Sequence, residues 1–120
     1  MKSRMEQKLA ELRIIFIAEF NHKLSVLITL WSEAKKTQSL VAIKQFRFEV
    51  HSLKGSSGAL NFLALSDRLN IIEAEVIFCE EQTKSLKSVI PFVERHLNSM
   101  IEVSSNDPNP LLVLKDIASS

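Results

Sequence analysis

The stretch IKQFRFEVHSLKGSSGAL, residues 43–60, repeats its apolar side chains at steps of three and four residues. Such stepping places these side chains on one face of a helix, so it predicts an amphipathic helix. The stretch also holds both glycines of the chain, Gly55 and Gly58, and a turn at residues 55–58 is the alternative. The helix is favoured because a turn would interrupt the apolar stripe. The members of the stripe are Ile43, Phe46, Val50, Leu53, Ser57 and Leu60.

Helical spacing continues on both sides of this stretch. Residues 4–36 predict one long helix, or two helices with a bend near Asn21. Pro91 either lies in the first turn of the last helix, where its missing N–H costs nothing, or kinks that helix. The early position is favoured, with Ser85 or Ser88 as the cap. The expected core-facing residues of the three other segments are Leu9, Leu12, Phe16, Phe20, Leu24, Leu27 and Trp31, then Leu65, Leu69, Ile72, Val76 and Cys79, then Leu86, Val89, Val93, Leu97 and Met100.

Four or five amphipathic segments with short connections predict an all-α fold. We expect an antiparallel four-helix bundle with an additional N-terminal helical segment. The bundle is expected over residues 1–104, and residues 105–120 form a C-terminal tail that is either docked or disordered.

The composition argues against several classes of function. With 15 Lys and Arg against 14 Asp and Glu, the net charge of +1 lacks the basic excess of a nucleic-acid-binding surface. The most apolar run contains Glu19, His22 and Lys23, which favours a buried helix over a membrane span. The single cysteine, Cys79, excludes a disulfide framework and fits a reducing compartment. We therefore expect a cytoplasmic protein without membrane insertion.

One exposed face of the helix at residues 43–60 carries a candidate site. At about 100° per residue, the residues three, four and seven positions after His51 lie on the same side of the helix as this histidine. Each glycine in a helix interior costs about 0.8–1.0 kcal/mol relative to alanine, so close approach by another molecule is a reason to keep two of them. The residues expected on this face are Lys44, Phe48, His51, Lys54, Gly55 and Gly58.

The sequence HSLKGSSGALNFLALSDRL, residues 51–69, resembles the signature of histidine-containing phosphotransfer domains. That signature has a histidine, a Leu-Lys-Gly-Ser run beginning two residues later, a glycine ten residues after the histidine, and a leucine four residues further on. Asn61 stands where the family usually has glycine, at the end of the histidine helix. Asparagine tolerates a left-handed backbone better than most residues, so we expect the turn to be kept. The matching residues are His51, Leu53, Lys54, Gly55, Ser56, Ser57 and Leu65.

The resemblance implies a phosphorelay intermediate. His51 would accept a phosphoryl group on Nε2 from the aspartyl phosphate of a receiver domain and pass it to the aspartate of a response regulator. Lys54 would stabilise the phosphate, while Gly55 and Gly58 would provide clearance for the receiver. The docking surface would have an apolar centre, with Phe48 as a candidate that could equally be partly buried. Lys44 and Arg47 would form its charged rim or simply a solvated basic face.

The resemblance also implies that the chain carries phosphate without being an enzyme by itself. The receiver would supply Mg²⁺, and the sequence shows no metal-ligand spacing, so no cofactor or metal site is expected. The expected partners are receiver domains and a sensor histidine kinase, including hybrid kinases, and a monomer is expected. The chain starts with Met and carries no kinase sequence, which favours a stand-alone protein. The alternatives are a helical adaptor that carries no phosphate, and the phosphoacceptor domain of a chemotaxis-type kinase.

Overall fold

A computed structural model describes residues 3–106 of the chain, with side chains described for residues 3–100. It contains four helices: α1 at Arg4–Thr37, α2 at Leu40–Ala59, α3 at Leu63–Glu80 and α4 at Leu86–Asn106. No strand occurs among these residues, so the all-α prediction is confirmed. The additional N-terminal segment is not a separate helix, because α1 continues without a break past Asn21.

Serine side chains begin three of the helices. Ser3 accepts a hydrogen bond from the backbone N–H of Glu6, and Ser39 accepts one from the N–H of Ala42, each at 3.1 Å. Ser85 accepts one from the N–H three residues later at 3.3 Å. These bonds satisfy N–H groups that have no partner inside the helix, which explains why each helix starts where it does.

Short connections make sequential helices antiparallel neighbours. Each of the three connections contains a residue with a left-handed backbone: Gln38 with φ 53°, Asn61 with φ 65° and Gln82 with φ 61°. Such a residue ends a helix and turns the chain back. In the resulting arrangement α1 packs on α2 and α4, and α3 packs on the same two helices. This closed ring of contacts is the arrangement of a four-helix bundle.

The apolar stripes meet at the centre of the bundle. All five stripe residues predicted in α3 are buried, and Trp31 of α1 packs on Phe46 of α2 with ring centroids 5.0 Å apart. Among the other predicted stripe residues, Leu9, Leu60 and Leu86 are half-buried, and Leu12 is exposed at 41% of its surface. Phe16 of α1 stacks on Phe62, which lies just past the end of α2. The turns of α1 before Phe16, which include Leu12, therefore have no part of α2 opposite them.

The last helix has Ser85, one of the two predicted caps, at its start, but Pro91 lies further inside the helix than predicted. α4 begins at Leu86, which places Pro91 in the second turn and not in the first. The ring therefore removes the hydrogen bond that the carbonyl of Lys87 would accept, but Lys87 is exposed and water can replace the donor. The helix runs on to Asn106, two residues beyond the predicted domain boundary. The rest of the predicted tail, residues 107–120, lies outside the described residues.

By length and composition alone, α1 could cross a membrane, since it contains an 18-residue window with a mean hydropathy of 1.4. The core helix of a soluble protein has the same properties, and α1 buries one face, including Phe20 and Leu27, against the other helices. Only 28% of the window is buried. The absence of membrane insertion and the cytoplasmic location therefore stay predictions.

Candidate functional site

His51 lies near the middle of α2 on the side that faces α3, and 63% of its side chain is exposed. Because α2 and α3 are antiparallel neighbours, the middle of α3 lies beside it. Glu73, 22 residues further along the chain, is the α3 residue that reaches the imidazole. The distance from His51 Nδ1 to Glu73 Oε2 is 2.7 Å.

Glu73 joins the histidine to the predicted lysine. Its side chain is only 8% exposed, and each of its two carboxylate oxygens has one partner on α2. Oε2 contacts the imidazole of His51, and Oε1 accepts a hydrogen bond from Lys54 Nζ at 2.5 Å. Lys54 also donates to Asn70 Oδ1 at 3.3 Å. The ammonium group is thus held by two side chains of α3.

Electrostatics keep this buried carboxylate ionised. Burial alone would raise the pKa of Glu73, but the hydrogen bonds from Lys54 and His51 and the charge of both groups outweigh it, so the pKa lies below its usual value. An ionised carboxylate can only accept hydrogen bonds, so Nδ1 of His51 must carry the hydrogen. The lone pair of the neutral imidazole is then on Nε2, for which no hydrogen bond is present among the described residues.

The two glycines have different surroundings. A Cβ atom on Gly55 would meet nothing within 4 Å, so the backbone is bare to solvent there, one turn beyond His51. A Cβ on Gly58 would lie 3.1 Å from Ser66 Oγ. Ser66 packs against α2 and donates to the carbonyl oxygen of Lys54 at 3.3 Å. The predicted clearance for a visiting protein therefore fits Gly55, whereas the missing side chain of Gly58 admits α3.

The predicted docking residues divide in the same way. Phe48, one turn before His51, is 67% exposed, so its ring is accessible, and its role in docking stays a prediction. Lys44, a further turn back, is exposed as well. Arg47 forms an ion pair with Glu80 of α3, so its charge is already balanced and it is not a free member of the rim.

Asn61 ends α2 in the way that the sequence predicted. Its φ of 65° is left-handed, and its N–H donates to the carbonyl of Gly58 at 3.1 Å. The N–H of Phe62 reaches back to the carbonyl of Ser57 at 2.8 Å. These two bonds form a Schellman motif with asparagine in the position usually taken by glycine.

The two other histidines lack this arrangement. His22 is exposed on α1 and has no carboxylate hydrogen bond among the described residues. His96 Nδ1 lies 3.5 Å from Arg68 Nη1, and burial, Arg68 and Arg95 lower the pKa of His96. A carboxylate next to the imidazole, beside an exposed backbone, therefore distinguishes His51 within the described chain.

Glu73 was missed by the sequence analysis. Its only signal is a charged residue next to the buried stripe of α3, directly after Ile72. No group of three His, Cys, Asp or Glu side chains with metal-binding geometry occurs among residues whose side chains are described.

Comparison with known proteins adds no family assignment: no family model, curated protein or solved structure matches the chain. The resemblance to histidine-containing phosphotransfer domains therefore rests on the motif around His51.

Proposed function

We propose that this protein is a phosphorelay intermediate that carries a phosphoryl group on Nε2 of His51. The observation that supports this most strongly is the pair of contacts at Glu73. They hold the exposed imidazole of His51 in one orientation. They also favour the tautomer with hydrogen on Nδ1, in which Nε2 carries the lone pair. The donor would be the aspartyl phosphate of a receiver domain, and the acceptor would be the aspartate of a response regulator.

The transfer needs little chemistry from this chain. The Nε2 lone pair attacks phosphorus, an N–P bond forms, and the P–O bond to the receiver aspartate breaks. The aspartate leaves as a carboxylate with the bonding electrons, and the hydrogen on Nδ1 stays in place. The imidazole gains positive charge as the bond forms. Transfer to the next receiver is the reverse of these steps.

Glu73 stabilises that developing charge from 2.7 Å away, in a position that is nearly closed to water. It also fixes the ring, so the nucleophile does not have to be oriented during the encounter. Lys54 acts through Glu73 before transfer, because its ammonium balances the buried carboxylate. Lys54 is thus a positioning residue in the free chain, and the resemblance assigns it to the phosphate once that group is bound.

The surroundings of His51 suit a protein partner. Gly55 leaves bare backbone one turn beyond the imidazole, and Phe48 offers an exposed ring one turn before it. A receiver that brings its own phosphoaspartate and Mg²⁺ could reach Nε2 between these residues. The resemblance places the metal in that partner, and a sensor histidine kinase would phosphorylate the receiver.

A transfer assay tests the proposal. A receiver domain labelled on its aspartate is mixed with the full chain, and the label on the chain is measured. We expect label that is stable in alkali and labile in acid, and its loss in His51→Gln. His22→Gln is the matched control, because His22 is an exposed histidine on α1, and it should be labelled normally. Label that persists in His51→Gln, or a chain that binds receivers without ever taking label, would contradict the proposal. The second result would favour the adaptor alternative.

A second pair of variants tests the role of Glu73. A hydrogen bond to a charged group contributes about 1.5–3 kcal/mol, so Glu73→Gln should slow the transfer about tenfold to a hundredfold. Glu75→Gln is the control, because Glu75 is two residues away and pairs with Lys84. Equal transfer rates for Glu73→Gln and Glu75→Gln would mean that Glu73 has no role in the transfer.

A further inference from the structure

The first half of α1 carries an apolar stripe that no described helix covers. Leu12 is 41% exposed and Ile15 is 52% exposed, and both lie on the side of α1 that faces the end of α2. Contiguous exposed apolar surface on a soluble protein can mark an interaction site, and Leu12 and Ile15 are neighbours on one face of α1. This stripe is separate from His51, which lies on the α3 side of α2.

The stripe borders an open groove. The groove has a volume of about 320 Å³ and runs between α1 and the last turn of α2. Its α2 side consists of the small residues Ser56 and Ala59 followed by Leu60, and its α1 side includes Leu12 and Ile15. A large side chain from another molecule could therefore enter it.

The charges along the stripe complement a second copy of the same helix. Lys8, Leu12, Ile15 and Glu19 follow one another at steps of four, three and four residues, so they form one line along α1. If a second α1 lies antiparallel against this line, Lys8 faces Glu19 of the second copy, and Leu12 faces Ile15 of the second copy. Both charged residues are exposed in the single chain. Glu19 Oε2 lies 3.9 Å from Lys23 Nζ one turn along α1, and an exposed ion pair of this kind contributes little, so it can be exchanged for a pair with Lys8 of the second copy.

We propose that the protein forms a symmetric dimer through the first half of α1, with the two helices antiparallel, Leu12 and Ile15 packed against each other across the axis, and Lys8 paired with Glu19 of the other copy. The contact is isologous, so it closes on itself and gives no larger assembly. His51 stays open in both copies because it lies on the side of α2 that faces α3 and does not line the groove. The dimer would replace the monomer that the sequence analysis expects, and it does not depend on the phosphoryl transfer proposed above.

The oligomeric state of the full chain is the test. Sedimentation equilibrium over a wide concentration series should give twice the mass of one chain at high concentration. Ile15→Lys should weaken the dimer at least tenfold, because it places a charge in the apolar centre. The new side chain would lie one turn from Glu11 and from Glu19, so the helix itself should tolerate it. Ile14→Lys is the matched control, since Ile14 is even more exposed but lies on the other side of α1, and it should leave the dimer unchanged.

A charge reversal tests the antiparallel arrangement. Lys8→Glu and Glu19→Lys should each weaken the dimer, because each creates two like-charge pairs across the axis. The double variant should recover the dimer, since it restores both pairs with reversed signs. A double variant as weak as the sum of the single ones would overturn the antiparallel contact.

Three other results would also overturn the proposal. The first is a monomer at every concentration. The second is a monomer whose melting temperature falls with Ile15→Lys but not with Ile14→Lys. That result would mean that the chain's own C-terminal residues cover the stripe. The third is co-flotation of the chain with phosphatidylcholine vesicles that Ile15→Lys abolishes. That result would mean that the stripe binds a lipid surface.

Discussion

Glu73 is a charged side chain in a position that is almost closed to water, and both of its oxygens have donors on the neighbouring helix. A buried carboxylate without partners would be strongly destabilising, so the contacts with His51 and Lys54 support the fold as well as the site.

The contribution of Glu73 to stability should depend on pH in a predictable direction. Because its pKa is lower in the folded chain, its contribution is fully present above the usual pKa of a glutamate and is lost as the pH falls through the lowered value. Urea unfolding of the natural chain and of Glu73→Gln should therefore show a difference in free energy that is largest near neutral pH and shrinks in acid. A difference that stays constant with pH would mean that the carboxylate is not ionised in the folded chain.

At this scale the sequence predicted that His51 and Lys54 share one helix face, and it missed their common partner Glu73. His51 and Lys54 are three residues apart on one helix, so their proximity follows from helical geometry alone. Glu73 could not be found in this way, because its contact depends on the register between α2 and α3. That register is set by the packing of the core and by the turn at Asn61, and no single-helix pattern contains it. The pairing of Arg47 with Glu80 was missed for the same reason.

The helix α2 shows how one element can serve packing and access at once. Gly58 lies against Ser66 and lets α3 approach, whereas Gly55 faces open solvent and makes no comparable contact. Both have ordinary helical backbones, since no glycine in the described chain has a positive φ. The cost of a helical glycine is therefore offset by packing at Gly58 only.

Replacement of Gly55 by alanine should separate stability from transfer. Gly55→Ala should stabilise the chain by about 0.8–1.0 kcal/mol, because nothing obstructs the new methyl group and the helix propensity improves. Under the proposed function, it should also slow transfer from a receiver by filling the bare patch. Gly58→Ala should gain less stability, since its methyl group would press on Ser66. Chemical denaturation and the transfer assay measure the two effects, and unchanged transfer in a stabilised Gly55→Ala would contradict the clearance role.

The helices themselves were predicted well because three-four spacing is a local property. The position of Pro91 within its helix was harder to predict. Ser85 caps α4, and this cap places Pro91 in the second turn. Only the actual cap decides how far along a helix a proline lies.

The whole molecule has faces with different properties. α2 presents His51, Phe48 and Gly55, while α4 lies diagonally across the bundle from α2. Phe92 of α4 is also partly exposed and packs on His96 with ring centroids 5.0 Å apart. If the docking surface is centred on His51, these two aromatic rings should differ in function.

Phe48→Ala should weaken receiver binding and slow the transfer while leaving the melting temperature nearly unchanged, because the ring is mostly exposed. Phe92→Ala is the control on the far side and should leave binding and transfer unchanged. Titration calorimetry with a receiver domain measures the binding. Equal effects of the two substitutions would mean that receivers do not dock on the face around His51.

At this scale the sequence predicted the class of fold but not the extent of each helix. The predicted core residue Leu12 remains exposed because α1 extends past the end of α2, and helical spacing carries no information about where a neighbouring helix stops. The same mismatch in length creates the stripe on which the proposed dimer depends.

The central claim is that Glu73 holds Nδ1 of His51, so that Nε2 is the atom that accepts the phosphoryl group. Long-range proton–nitrogen NMR spectra of the chain with ¹⁵N-labelled histidine, recorded before and after transfer from a phosphorylated receiver, test it most directly. The account predicts hydrogen on Nδ1 of His51 before transfer and phosphorus bonded to Nε2 afterwards, with His22 and His96 unchanged. Hydrogen on Nε2 before transfer, or phosphorus on Nδ1 or on another histidine, would contradict it.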